Sequence, residues 1–185
     1  MEANKNLFWN KAMFWGFITA LLSMISTTIH YSTNNMFSKS NGWLSIMILV
    51  LGIVICGIMY RRSIAENDEF PYSKALGLGV ATAFFASLIL ALFTFVLYKY
   101  IDPDLVEQSL TNAEEVLLEK GINEDLIETQ IEMQRNFVKP SILSASTVLT
   151  DVIYGLIISL VTSIFLRKKA ADGFSAAMSE IDDED

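Results

Sequence analysis

One carboxylic acid lies inside a long apolar run near the end of the chain, where its chemistry is hard to explain by packing alone. Asp151 falls in the run that covers residues 141–166. On insertion scales, an ionised carboxylate at the centre of a membrane helix costs roughly 2.5 to 3.5 kcal/mol. Ser144 and Thr147 precede it at helical spacing, so the three share one helix face. This pattern predicts either a proton or cation site or a hydrogen-bonded packing residue.

Polar residues of the first apolar run are the partners that depth allows for Asp151. Ser23 and Thr27 fall at a matching depth, whereas His30 shares their face but is close to the end of its run. No Lys or Arg occurs in the middle of any run. Because burial disfavours the charged form of a carboxyl group, we expect Asp151 to be protonated at rest. The predicted intramembrane polar site comprises Asp151, Thr147, Ser144, Ser23, Thr27 and His30.

Signatures of other chemistry are missing from the sequence. The chain has one His and one Cys, so it cannot form a Cys–His metal cluster or an intramolecular disulfide. It contains no Ser-His-Asp set and no phosphate-binding glycine loop. The sequence therefore predicts a protein that is not an enzyme, that holds no metal or cofactor, and that does not bind nucleic acid.

The composition predicts a membrane protein. The chain has 185 residues, of which 52% are hydrophobic, and a net charge of −8. The apolar residues are segregated into four runs, each long enough to cross a hydrocarbon core about 30 Å thick. We expect an all-α integral membrane protein with spans at about residues 11–31, 43–60, 73–98 and 141–166, within one membrane domain that covers residues 1–169.

Basic residues near the ends of the spans predict the orientation. Eight of them fall on the same side of the four-span arrangement, namely Lys5, Lys11, Arg61, Arg62, Lys74, Arg167, Lys168 and Lys169. Cytoplasmic loops of membrane proteins carry an excess of Lys and Arg. We therefore expect both termini to be cytoplasmic and the loop between the third and fourth spans to be external.

The external loop, residues 101–139, is acidic and has two helical patterns. Asp102 and Pro103 predict the start of its first helix, Gly121 its end, and Asn123 the start of the second. We expect a helical hairpin that contacts other membrane or periplasmic proteins. The acidic tail, residues 170–185, is expected to be disordered.

Small residues on the spans predict how the helices pack. In lipid, helices associate through close backbone approach and hydrogen bonds, so faces rich in small residues point toward other helices. Gly79, Ala83 and Ser87 form such a face on the third span, and Gly155 lies on the same stripe as Asp151. We expect these four residues to pack helices within the chain, or between copies in a homo-oligomer.

Three segments carry a resemblance to a known family. They are FPYSKALGLGVATAFFASLILALFTFVLYKYIDPD from Phe70, LEKGINEDLIETQIEMQ from Leu118, and an acidic residue followed by GLIISLVTSIFLRKK from Gly155. Over residues 8–169 the chain resembles the bacterial four-span membrane proteins registered as domain of unknown function 4199. The resemblance implies a location in the bacterial inner membrane and the same topology, and it transfers no catalytic residue. Family members often have Glu near the position of Asp151.

Two main functions are open at this point, beside a third in which the protein is an enzyme accessory that presents the external hairpin to a periplasmic substrate. The first is a structural or accessory protein of the inner membrane that acts through interactions, with Asp151 as a neutral packing residue. The alternative is a small proton- or cation-coupled carrier that uses Asp151. The spans have no internal Pro and no convincing repeat, which are features common in carriers. The sequence alone therefore favours the accessory function.

Overall fold

A computed structural model describes residues 2–64 and 69–167, with side chains from residue 6 onward. The predicted tail, residues 170–185, and the basic residues Lys168 and Lys169 lie outside these ranges. Six α-helices follow one another along the chain, and the described ranges contain no strand. The helices are α1 (Glu2–Ser32), α2 (Lys39–Ser63), α3 (Tyr72–Val96), α4 (Leu105–Glu119), α5 (Glu124–Phe137) and α6 (Pro140–Leu166). One π-helical turn, Leu97–Ile101, extends α3.

Four of these helices are long and apolar enough to cross a membrane, namely α1, α2, α3 with its π-helical turn, and α6. Large apolar side chains cover their outward surfaces, and Phe165 of α6 is 76% exposed. In water such a surface would be unfavourable, whereas in a bilayer it contacts lipid tails. The prediction of an all-helical fold with four long apolar helices is confirmed.

Helix α3 is the centre of the four-helix bundle. Its most extensive contacts are with α6, followed by those with α1. Helix α2 contacts α1, α3 and α6. Three buried clusters follow one another along the bundle, centred on Tyr60, Ile53 and Leu97. The last cluster includes Leu105, so α4 and α5 extend from this end of the bundle, which we call the α4–α5 end.

Small residues allow α3 and α6 to approach closely at two places. A Cβ atom added to Gly155 would overlap the Cβ atom of Ala83, and one added to Gly79 would overlap the hydroxyl of Ser159. Ser87 is also buried on α3, where its hydroxyl donates a hydrogen bond to the carbonyl oxygen of Phe84 at 2.8 Å. The small-residue face predicted on the third span therefore lies inside the chain.

Helices α4 and α5 contact each other. Arg135 of α5 forms an ion pair with Glu107 of α4, with a nitrogen–oxygen distance of 2.7 Å. Gly121 has a left-handed backbone (φ 70°) between the two helices, and the Asn123 side chain accepts a hydrogen bond from the backbone N–H of Asp125 at the start of α5. The start of α4 differs from the prediction, because the helix begins at Leu105.

The displacement of this start has a local cause. The Asp102 carboxylate accepts hydrogen bonds from the Tyr31 hydroxyl and from the backbone N–H of Asp104, both at 3.1 Å. These contacts fix Asp102 in a turn just ahead of α4 and tie the end of α3 to the end of α1. Asp104 then occupies the position before α4.

We predict that Gly155→Ala destabilises the bundle by about 1–3 kcal/mol, because the added methyl group overpacks the contact with Ala83. Gly77→Ala is the matched control, since a Cβ atom there meets its nearest neighbour, Phe8, at an ordinary 3.8 Å. Thermal unfolding in detergent, followed by tryptophan fluorescence, measures both effects. Adding Ala83→Gly to Gly155→Ala should restore part of the loss, and equal unfolding temperatures for the two alanine variants would contradict the close contact.

Candidate functional site

Asp151 lines a cavity of about 310 Å³ between the four long helices. The cavity lies between the cluster around Ile53 and the cluster at the α4–α5 end, because its walls include Leu49 from the former and Leu97 and Tyr98 from the latter. It therefore occupies the half of the bundle nearer to α4 and α5. We call it the Asp151 cavity.

The walls of the Asp151 cavity combine three kinds of side chain. Hydroxyl groups come from all four helices, namely Thr19, Ser23, Thr27, Ser45, Thr94 and Thr147. Aromatic rings come from Phe93, Tyr98 and Tyr154. Most of the remaining wall is aliphatic, formed by Ile46, Leu49, Leu90 and Leu97 together with Met36. A concave, largely apolar cavity with a few polar groups is the usual form of a small-molecule site.

Among the described residues that line these walls, Asp151 is the only carboxylate, and none is a Lys, Arg or His. Among the described residues, none forms an ion pair or a hydrogen bond with its carboxyl group. The nearby hydroxyl of Thr147 donates instead to the carbonyl oxygen of Leu143, at 3.0 Å. The carboxyl group therefore faces the cavity without a protein partner in the described part of the chain.

Three of the predicted partners lie with Asp151, and two do not. Ser23, Thr27 and Thr147 line the cavity. The Ser144 hydroxyl donates to the carbonyl oxygen of Pro140 at 2.6 Å, outside the cavity walls. The Nδ1 atom of the His30 ring lies 2.9 Å from the carbonyl oxygen of Ser26, one turn back along α1. His30 therefore contributes a local helix contact, and the structure does not pair it with Asp151.

Five polar lining residues were absent from the predicted site, namely Thr19, Ser45, Thr94, Tyr98 and Tyr154. A signal for two of them was present, since Thr94 and Tyr98 are four residues apart and share a face of the third span. The prediction used only residues on the small-residue faces, which mark tight packing. The cavity lies where that packing ends, so its lining follows a different set of positions.

The fold and the cavity together define a class: a helical membrane protein with a largely apolar cavity around one intramembrane carboxyl group. A family model described as "Protein of unknown function (DUF4199)" matches residues 14–168. The chain belongs to this family, which confirms the resemblance. Neither a curated protein nor a solved structure matches the chain.

We predict that a cysteine at position 147 reacts with a water-soluble thiol reagent, because Thr147 lines the Asp151 cavity. The natural chain provides the background, since its single cysteine, Cys56, is buried in the core. Ser159→Cys is the matched control on the same helix, because Ser159 is 0% exposed and lies against Gly79. The labelling rate in detergent or nanodiscs measures access. Equal rates for Thr147→Cys and Ser159→Cys would mean that the cavity is closed to water.

Proposed function

We propose that the protein is a multi-pass protein of the bacterial inner membrane in which the Asp151 cavity binds a proton or a small cation and carries it. One observation supports this function most: the Asp151 carboxyl group faces a cavity of about 310 Å³ and has no protein partner among the described residues. Ionisable groups inside a membrane commonly mark ion or proton pathways.

The alternative role as a packing residue requires a partner for the carboxyl group. A buried polar group without a hydrogen bond costs roughly 1–3 kcal/mol, so a packing Asp would be paired with a neighbouring hydroxyl. Among the described residues, no hydroxyl is hydrogen-bonded to the carboxyl group, and those of Ser144 and Thr147, on the same helix, donate to backbone carbonyl oxygens. The geometry therefore favours a site that is completed by a cation or by water.

The proposed orientation places the α4–α5 end outside the cell. Lys11, Arg61, Lys74 and Arg167 belong to the opposite end of the bundle, as the direction of each helix requires. The excess of basic residues in cytoplasmic loops supports this orientation. In this arrangement the Asp151 cavity lies in the external half of the membrane.

The proposed function is binding and not catalysis. A hydrolase in this cavity would need a nucleophile paired with a base. Thr147 is the hydroxyl one helical turn from Asp151, and its hydrogen bond goes to the carbonyl oxygen of Leu143. Asp151 therefore does not activate it in this geometry.

We predict that Asp151→Asn reduces cation flux in proteoliposomes to the rate of empty liposomes, because an amide cannot exchange a proton or balance a positive charge. A membrane potential, negative inside, drives uptake, and an internal pH dye and a sodium dye report protons and Na⁺ separately. Asp151→Glu should retain part of the wild-type rate. Asp104→Asn removes the same charge from an exposed position outside the cavity and should leave the rate unchanged. Equal rates for wild type and Asp151→Asn would rule out a role of this carboxyl group in transport.

A second function, as an accessory protein that acts through interactions, is favoured by the surface of α5. Three large apolar side chains recur on one face of this short helix: Leu126, Met133 and Phe137 are 63%, 55% and 66% exposed. Ile127 packs on the other side, where α5 faces α4. A helix that leaves such a face uncovered fits a groove on a partner or the membrane surface. We propose that α4 and α5 form an external hairpin that contacts another membrane or periplasmic protein.

We predict that a photo-crosslinking amino acid at Met133 yields a discrete adduct in cells, whereas the same group at Glu128 does not. Glu128 is exposed on the acidic side of α5, so it controls for chance collisions. The adduct's mass separates a second copy of the chain from a different protein. Crosslinks to lipid alone at Met133 would remove the support for a protein partner.

A further inference from the structure

We propose that the Asp151 cavity binds a small organic ammonium ion, with the nitrogen against the Asp151 carboxylate and the apolar body against the aromatic and aliphatic wall. This inference rests on the proposed function, because it names the class of cation that the same site takes. It follows from the charge, the volume and the hydrogen-bonding character of the cavity.

The charge of the cavity fits one positive charge. Asp151 is the only carboxylate in the walls, and the described residues contain no group of three or more His, Cys, Asp or Glu side chains placed to hold a metal. Calcium takes six to eight oxygen ligands, and Mg²⁺ requires a near-octahedral set that includes carboxylates. One carboxylate therefore selects a monovalent cation.

The volume of the cavity fits an organic molecule better than a bare ion. A water molecule occupies roughly 30 Å³ in the liquid, so the cavity has room for about ten waters. Small-molecule sites begin at roughly 300 Å³. A single Na⁺ or K⁺ would leave most of this space, and most of its aliphatic wall, to water.

Two hydroxyl groups of the wall already donate their hydrogen within their own helix. Thr19 already donates its hydroxyl hydrogen to the carbonyl oxygen of Trp15 at 2.7 Å, and Thr147 donates to that of Leu143 at 3.0 Å. The Thr19 oxygen lies against Gly52 of α2, whereas the Thr147 oxygen keeps a lone pair for a donor inside the cavity. An ammonium group carries N–H donors and no acceptor, so it complements Asp151 and the Thr147 oxygen together.

The aromatic and aliphatic side chains suit the rest of the ligand. Phe93, Tyr98 and Tyr154 contribute rings to the wall, and rings attract a nearby cation through their faces. Leu49, Leu90 and Leu97 offer contact surface to an apolar body. A ligand with a cationic nitrogen and an apolar ring would therefore use both parts of the wall.

The cavity has an exposed margin at Gly42, near the start of α2. Gly42 is exposed and lines the cavity, and a Cβ atom added there meets no atom within 4 Å. Gly42→Phe therefore places a ring at this margin without a clash with the backbone. Asp151 is unchanged in this variant. The variant therefore tests the access of a large ligand without changing the charge at the site.

The test measures binding of 2-phenylethylammonium chloride to the full-length protein in nanodiscs by calorimetry. Its neutral isostere, 2-phenylethanol, and the chlorides of sodium and potassium are the comparison ligands. We expect saturable binding of the ammonium ion, weakened roughly tenfold or more by Asp151→Asn, because the variant loses a hydrogen bond between two charged groups. Gly42→Phe should weaken it as well, and Asp104→Asn should not. The alcohol should bind weakly and equally to wild type and Asp151→Asn.

The outcomes separate this inference from the proposed function. Asp151-dependent flux of protons or Na⁺ without binding of 2-phenylethylammonium would overturn the ammonium inference and leave the proposed function standing. Equal binding of the ammonium ion and the alcohol, insensitive to Asp151→Asn, would also overturn it. If none of these cations shows a dependence on Asp151 in flux or binding, the proposed function fails as well.

Discussion

The close approach of α3 and α6 is the constraint on which the rest of the structure depends. Lipid tails are as apolar as leucine, so spans gain little from burying large side chains against each other and associate through tight backbone contact. Gly79 and Gly155 provide that contact, each against a small residue of the other helix. Because α3 also contacts α1 and α2, the position of one helix pair sets the frame for all four.

The tight contact also determines where the bundle is open. Gly79 faces Ser159, and Gly155 faces Ala83. Asp151 lies one turn beyond Gly155 toward the α4–α5 end, and it is the first residue of this α6 stripe to line the cavity. The cavity begins, therefore, where the small-residue contact between α3 and α6 ends, and the carboxyl group lies at that boundary.

Periodicity and residue size predicted a large part of this arrangement. The four long apolar helices follow from hydropathy, because each run must satisfy its backbone within one helix. Ser23, Thr27, Thr147 and Asp151 were selected by depth and face, and all four line the cavity. His30 and Ser144 were selected by face alone, and each bonds a carbonyl oxygen one turn away along its helix, which a helical projection does not show. The α2 residues that line the cavity were missed, because the set of lining residues depends on which helix faces pack against each other. A single sequence carries little information on that packing.

The cavity explains how the bundle tolerates Asp151. On insertion scales, an Asp at the middle of a span costs roughly 2.5–3.5 kcal/mol, and that cost is largest when the group is surrounded only by hydrocarbon. Here the carboxyl group borders a space that hydroxyl groups from all four long helices also line, so water or a cation can solvate it. A leucine at the same position would fill part of this space and remove the cost. A bundle selected for stability alone would use that leucine, and the combination of an open cavity with a carboxyl group that has no partner among the described residues therefore supports the proposed binding role.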